Sequence, residues 1–262
     1  MINQINDEIL NVILSSKKYS GVYVPVIERL IREERAKHPK TADAIKAVKK
    51  RLHLMHGAYT GNTQKKLDAL IDEAINADEI KKISGEILKM HSSTSERAGC
   101  IEEFYEFIFK NIKCGAVLDL GCGYNPFSLP FMPEIPGSYH AADIDAKAAE
   151  SINKYLKLFG PSFKYFCADL VTETPATMAD AVFMFKLLPV LESQKPGRGF
   201  ELIKELDAER FVVTYPLRSL GGKKKGMEVF YPDSFEKCAA KFKFNIIEKK
   251  IIRDELIYIA EK

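Results

Sequence analysis

Seven short apolar runs follow residue 115, and the last two are separated by only Arg253-Asp254-Glu255. The runs are Ala116–Leu120, Tyr139–Asp143, Phe163–Ala168, Asp180–Phe185, Phe211–Tyr215, Phe244–Ile252 and Leu256–Ala260. Stretches with helical spacing separate the first five. Such strand–helix alternation predicts a parallel sheet with helices on both faces. A parallel crossover needs about a dozen residues or more, and three residues allow only a hairpin. The last two strands are therefore expected to be antiparallel neighbours, which excludes an all-parallel sheet.

Before residue 115 the spacing is helical. Ile9, Val12, Ile13 and Ser16 mark one amphipathic face, and Val26, Ile27, Leu30 and Ile31 a second, opened by Pro25. Ala44, Ile45 and Val48 begin a third helix that reaches about Met55. Leu67, Leu70, Ile71 and Ile75 mark a fourth, and Ile80, Ile83, Ile87 and Leu88 a fifth. Ser93 to Glu96 has capping-box spacing ahead of a helix carrying Ile101, Phe104, Tyr105, Ile108 and Phe109. At roughly 150 residues per domain, 262 residues suit one large or two unequal domains. The expected division is a helical domain over 1–112 and an α/β domain over 113–262.

The first strand runs into Gly121-Cys122-Gly123-Tyr124-Asn125-Pro126. Glycine lets a backbone approach a ligand closely and adopt positive φ. A dinucleotide site wants a third glycine where Pro126 stands. An S-adenosylmethionine (SAM) site has an acid two residues before the first glycine, and Asp119 is there. Asn125, at the third small position, tolerates left-handed geometry. Asp143 ends the second run, 20 residues beyond Gly123, where a ribose-binding acid is expected. Asp145 is close enough to compete for that role. Asp169 ends the third run, where an acid can accept from the adenine amine. Five alternating units closed by a hairpin is the plan of class I SAM-dependent methyltransferases, a Rossmann-like α/β fold with a seven-stranded, mostly parallel sheet.

The fourth run ends Phe185-Lys186-Leu187-Leu188-Pro189, without the Asn/Asp-Pro-Pro-aromatic motif of many exocyclic-amine methyltransferases. Cysteine-dependent C5 methylation needs an attacking thiolate. There is no Pro-Cys pair, and none of the five cysteines has an evident activating neighbour. What remains is attack by an existing lone pair, as at a ring nitrogen. Such an acceptor needs positioning rather than a base. No CxxC pair or metal-ligand cluster is present, so no metal is expected, and the thiols are expected reduced, mostly buried and intracellular. The first residues make a poor signal peptide and no run approaches a membrane span, so the expected setting is the cytoplasm, away from any membrane.

The segments His91–Arg97, Gly121–Phe127, Phe185–Pro189, Tyr215–Glu228 and Glu255–Tyr258 resemble the aminoglycoside-resistance 16S rRNA (guanine-1405-N7) methyltransferases. Ser16–Tyr19, Leu52-His53 and Gly57–Tyr59 carry the likeness into the N-terminal part. The resemblance implies methyl transfer from SAM, leaving S-adenosylhomocysteine, to N7 of one guanine in the assembled 30S subunit. It implies aminoglycoside resistance and an N-terminal domain that docks on rRNA. By motif, Arg97 would pair with the SAM carboxylate, Gly121 and Gly123 would flank the methionine portion, Asp143 would hold the ribose and Asp169 would face the adenine. His91, Ser93, Asn125, Ile144, Leu170, Lys186 and Leu187 would complete the cofactor site. Lys186, Arg218 and Met227 are expected at the methyl-transfer site. The sequence departs from the family at Met227-Glu228-Val229-Phe230-Tyr231, where Asn usually stands in place of Phe230. That leaves two alternatives open: a same-fold methyltransferase with another rRNA base or a small molecule as target, or a non-catalytic SAM-binding assembly factor.

The formal charge of +3 hides a basic segment. Residues 15–51 hold eleven Lys or Arg against four acids, while residues 68–79 hold five acids and no base. RNA responds to the local field. Lys17, Lys18, Lys49, Lys50, Arg51, Arg218, Lys223, Lys224 and Lys225 are the expected RNA contacts of a chain expected to act as a monomer.

Overall fold

The computed structural model describes the backbone of residues 2–57, 64–76, 79–217 and 227–262, and the side chains of 4–55, 64–75, 79–217 and 235–262. Arg218 and Lys223–Lys225 lie outside the described residues, as do the side chains of Met227 and Phe230.

Seven strands form one sheet: β1 (Ala116–Leu120), β2 (Ser138–Asp143), β3 (Phe163–Cys167), β4 (Ala179–Phe185), β5 (Ala208–Pro216), β6 (Asn245–Ile252) and β7 (Glu255–Glu261). Their order is β3-β2-β1-β4-β5-β7-β6. The first five strands pair in parallel. β7 inserts antiparallel to both β5 and β6, and the two-residue connection Arg253-Asp254 dictates the hairpin with β6. Alternate residues face opposite sides of a strand. Thus Val117, Ala181, Phe183 and Val212 enter one core, and Leu118, Val182, Met184 and Val213 enter the other.

Among the described residues seven helices precede the sheet: α1 (Ile2–Leu14), α2 (Val24–Lys37), α3 (Thr41–Leu52), α4 (Gln64–Asn76), α5 (Ile80–Leu88), α6 (Ser92–Arg97) and α7 (Ile101–Asn111). A single π turn, His53–Gly57, extends α3 past Met55. The remaining helices are α8 (Ala149–Leu156), α9 (Leu188–Gln194), α10 (Arg198–Glu205) and α11 (Met227–Phe242). Among the described residues no helix is long and apolar enough to cross a membrane.

The hydrophobic cores divide earlier than residue 112. Ile9, Ile13, Val26, Leu30, Ala44 and Val48 give α1–α3 a core of their own. The apolar faces of α4, α5 and α7 (Leu67, Ile71, Ile87, Phe104, Tyr105) instead join the core on one side of the sheet. The unit with a separate core is therefore α1–α3, and α4, α5 and α7 share the core on one side of the sheet.

Two local expectations are corrected. Helices do not separate all of the first five strands. A 3-10 turn, Asn125–Phe131, stands between β1 and β2, because Pro126 and Pro130 disrupt α-helical pairing. An irregular segment joins β3 to β4. Buried Arg198 holds it from α10, donating to the Leu170 and Glu173 carbonyls at 2.8 and 3.0 Å. The capping box is absent: His91 is the N-cap of α6, without a side-chain cap, and Glu96 is ion-paired with Lys186.

Candidate active site

The carboxyl ends of β1, β2, β3 and β4 open onto one cleft of about 1060 Å³, part of it open to solvent. Ligands of open α/β sheets bind at this edge, where the strand order reverses. All twelve residues expected at the cofactor line it: His91, Ser93, Arg97, Gly121, Gly123, Asn125, Asp143, Ile144, Asp169, Leu170, Lys186 and Leu187.

The glycine turn leaves β1 with φ of +63° at Gly121 and +50° at Gly123. A Cβ on Gly121 would lie 2.7 Å from Leu187 Cδ1, and one on Gly123 would lie 3.0 Å from the His91 ring. Any side chain at either position would fill the cradle. The Gly123 N–H donates to Asp143 Oδ2 at 2.8 Å, and the Ile144 N–H to Oδ1 at 2.6 Å. Asp143 is thereby fixed against the turn, half-buried at the cleft wall. Asp145 uses its carboxylate on the Lys147 and Ala148 N–H groups at 3.1 Å, which caps the turn into α8.

Asn125 does not take the left-handed geometry expected of it. Buried in the 3-10 turn, it joins a polar network instead. Its Nδ2 donates to Asp119 at 2.8 Å, and its Oδ1 accepts from Tyr105 Oη at 2.9 Å, Ser128 Oγ at 3.1 Å and Arg97 Nη1 at 3.2 Å. Tyr139 donates to the same Asp119 oxygen as Asn125. The other, Asp119 Oδ1, has no hydrogen-bond partner among the described residues. Burial pushes the Asp119 carboxyl up to about 6, against the lowering effect of these donors and of Arg97.

Arg97 stands between the Phe104 and Phe185 rings, 5.0 and 4.7 Å from their centroids. Its Nε donates to Glu255 at 2.8 Å. It pairs with neither nearby acid of its own region, Glu96 or Glu103, but with one 158 positions away. Glu255 also lies 3.4 Å from Lys186 Nζ and accepts from Thr214. Burial works against the charges of Arg97 and Glu255. Their mutual attraction outweighs it, so the guanidinium is held above its ordinary range and the Glu255 carboxyl below. Lys186 sits at φ +57°, which non-glycine residues seldom adopt, with its N–H on Thr214 at the end of β5.

Three cleft residues come from α2 and the π turn that follows α3: Val26, Arg29 and Met55. Arg29, almost fully buried, grips Asp169 with Nε–Oδ2 of 2.6 Å and Nη2–Oδ1 of 3.1 Å. Sequence reasoning missed Arg29, Gln194 and the part played by Glu255. The only local hint for Arg29 is an arginine amid the apolar run Val26–Ile31. Of the five cysteines, only Cys122 lines the cleft, and burial pushes its thiol well above the ordinary value, making it a poor nucleophile. Among the described residues no His/Cys/Asp/Glu group could hold a metal ion.

In the α1–α3 unit, basic groups separated in sequence come together. Lys17, Lys18 and Lys50 are exposed. Lys18 Nζ lies 3.0 Å from His53 Nδ1, and Tyr19 Oη donates to the Lys49 carbonyl at 3.2 Å, which joins the 17–19 turn to the end of α3. Arg51 is turned inward, bound to Glu33 and, at 2.9 Å, to Glu34.

A sheet with β7 inserted antiparallel between β5 and β6, a glycine turn after β1, an acid ending β2 and another two residues past β3 define a class I SAM-dependent methyltransferase. Residues 15–259 match the family model described as ribosomal RNA methyltransferase (FmrO), and the chain belongs to that family. It is 34% identical over 258 residues to a 16S rRNA (guanine(1405)-N(7))-methyltransferase of Serratia marcescens, covering 98% of each chain. It is 32% identical to one of Micromonospora rosea, covering 98% of this chain and 96% of that one. Among solved structures, the 16S rRNA methyltransferase RmtF in complex with S-adenosyl-L-homocysteine matches with a TM-score of 0.89 at 34% identity, covering 98% of both chains. The 16S rRNA methylase RmtB matches with a TM-score of 0.84 at 30% identity, again covering 98% of both.

Proposed function

We propose that the protein transfers a methyl group from SAM to N7 of guanine-1405 of 16S rRNA in the assembled 30S subunit, acting as a cytoplasmic monomer and conferring aminoglycoside resistance. The observation that carries this reading is the convergence of twelve motif residues, drawn from five separate segments, on one cleft. The full-length likeness to guanine-1405 methyltransferases supports the target.

SAM supplies an electrophilic methyl on a sulfonium. Arg97 offers the cofactor carboxylate a charge-assisted donor. Gly121 and Gly123 let the backbone close on the methionine portion, Asp143 accepts from the ribose, and Asp169 accepts from the adenine amine. The N7 lone pair of guanine needs no general base, so the chain has only to position two partners and tolerate charge passing to the base. Pairing of Lys186 with Glu255 and Glu96 keeps that corner from adding an uncompensated cation. Lys17, Lys18, Lys49 and Lys50 then supply a field for phosphates. Arg51, engaged with Glu33 and Glu34, serves to brace α3 against α2. Arg218, Met227 and Lys223–Lys225 are assigned to the target side by motif alone.

The test is to incubate 30S subunits with the protein and methyl-labelled SAM and to map the modified base. Label at N7 of guanine-1405 is the expected result. Label on another base, or none with bound SAM, would overturn the target or the activity.

A further inference from the structure

The three-helix unit meets the α/β body along the cleft wall. Tyr23 N–H donates to the Ile144 carbonyl at 2.8 Å, and Lys147 N–H to the Gly21 carbonyl at 3.1 Å. Val22 forms an antiparallel bridge with Asp145, and Ile144 packs on the α1–α3 core. Into this seam α2 sends Arg29, 4% exposed, onto Asp169, 2% exposed. The guanidinium also donates to Gln194 Oε1 at 2.9 Å and Glu33 Oε1 at 3.2 Å. Arg29, Asp169 and Gln194 all line the cleft.

An ion pair is a poor choice for joining two units on grounds of stability alone, because desolvation consumes most of its attraction. Its placement has a chemical consequence. A carboxylate is acceptor-only, whereas its neutral form also donates. Burying a carboxylate without a counter-charge is costly and favours the neutral form. With Arg29 on both oxygens and the Val171 N–H on Oδ1 at 3.2 Å, Asp169 is fixed in orientation at the cleft. An acceptor there suits the exocyclic amine of adenine and opposes the carbonyl of hypoxanthine.

We propose that Arg29 is a positioning residue for the cofactor, so that the α1–α3 unit completes the adenine end of the SAM site as well as facing RNA. This rests on the assignment of Asp169 to adenine. Arg29 touches no reacting atom; it acts through Asp169.

The test is calorimetric binding of S-adenosylhomocysteine and S-inosylhomocysteine to the full chain and to Arg29→Ala and Arg29→Lys. Wild type should prefer the adenosyl ligand. Arg29→Ala should bind it roughly ten- to a hundredfold more weakly, the worth of a charge-assisted hydrogen bond. Its preference over the inosyl ligand should shrink or vanish. Arg29→Lys keeps the charge but not the fork, and should fall between. A loss of folded protein lowers both affinities alike and leaves their ratio unchanged, so the ratio separates positioning from folding. Unchanged affinity and preference in Arg29→Ala would overturn the proposal, as would equal loss of both ligands. A wild type that binds neither would overturn the cofactor assignment beneath it.

Discussion

The cleft and the outer face of α1–α3 both concentrate charge, and they handle it in opposite ways. In the cleft every described cation named above is paired: Arg97 and Lys186 with Glu255, Arg29 with Asp169. On the outer face Lys17, Lys18 and Lys50 project into solvent. Buried pairs fix geometry and are costly to break on one side only. Exposed lysines add little to stability and supply field. The same residue types thus serve position in one region and attraction in the other, and the two should respond differently to substitution.

The largest difference is expected at Glu255. Glu255→Ala leaves Arg97 and Lys186 without their shared carboxylate and should cost about 3–5 kcal/mol, as breaking a buried pair typically does. Urea unfolding measures this. Adding Arg97→Met should recover part of the loss, because the orphaned cation is then gone. A cost below about 0.5 kcal/mol, the ordinary range for surface changes, would erase the distinction between the two regions.

Asp119 gives the next effect, and its sign follows from burial. Its carboxyl is raised from 3.8 to about 6 in the folded chain. A raised carboxylate favours folding below about pH 4 and loses that contribution as pH rises through about 6, roughly 3 kcal/mol in all. Stability of wild type relative to Asp119→Asn should therefore decline across pH 4 to 6 and level off above. No slope between the two unfolding curves would show that the buried network leaves Asp119 at its ordinary value.

Arg97→Lys should weaken S-adenosylhomocysteine binding by about tenfold, since an ammonium cannot hold Glu255 and a ligand carboxylate with one planar fork. Calorimetry at neutral pH tests this. Equal affinity would remove Arg97 from the cofactor.

What could be read from the sequence was whatever leaves a local trace. Short apolar runs placed the strands, and a three-residue link required the β6–β7 hairpin. Gly121, Gly123, Asp143 and Asp169 stand at strand ends, where spacing alone located them. The pairings among them were invisible. Arg29 and Asp169 are 140 positions apart, and nothing periodic connects them. The capping box failed for a similar reason: Glu96 had the right spacing, but Lys186, 90 positions away, took its carboxylate. The division at residue 112 followed helical content, whereas burial follows which faces meet, and α4, α5 and α7 share a core with the sheet.

The smallest expected effect on stability tests the other side of the comparison. Reversing Lys17, Lys18 and Lys50 to Glu touches exposed groups, so the change in unfolding free energy should stay within about 0.5 kcal/mol per site. Affinity for S-adenosylhomocysteine should not change, because none of the three lines the cleft. Binding to 30S subunits should nevertheless fall, and its salt dependence should flatten, since each lost phosphate contact lowers the slope of log K against log salt by about 0.9 at most. Filter binding across a salt series measures both. If 30S affinity and slope were unchanged, the basic face would be only a solvated surface, and the docking role would have to pass to other groups. If cofactor affinity fell as well, the outer face and the cleft would be coupled through α2, which carries Arg29 into the cleft.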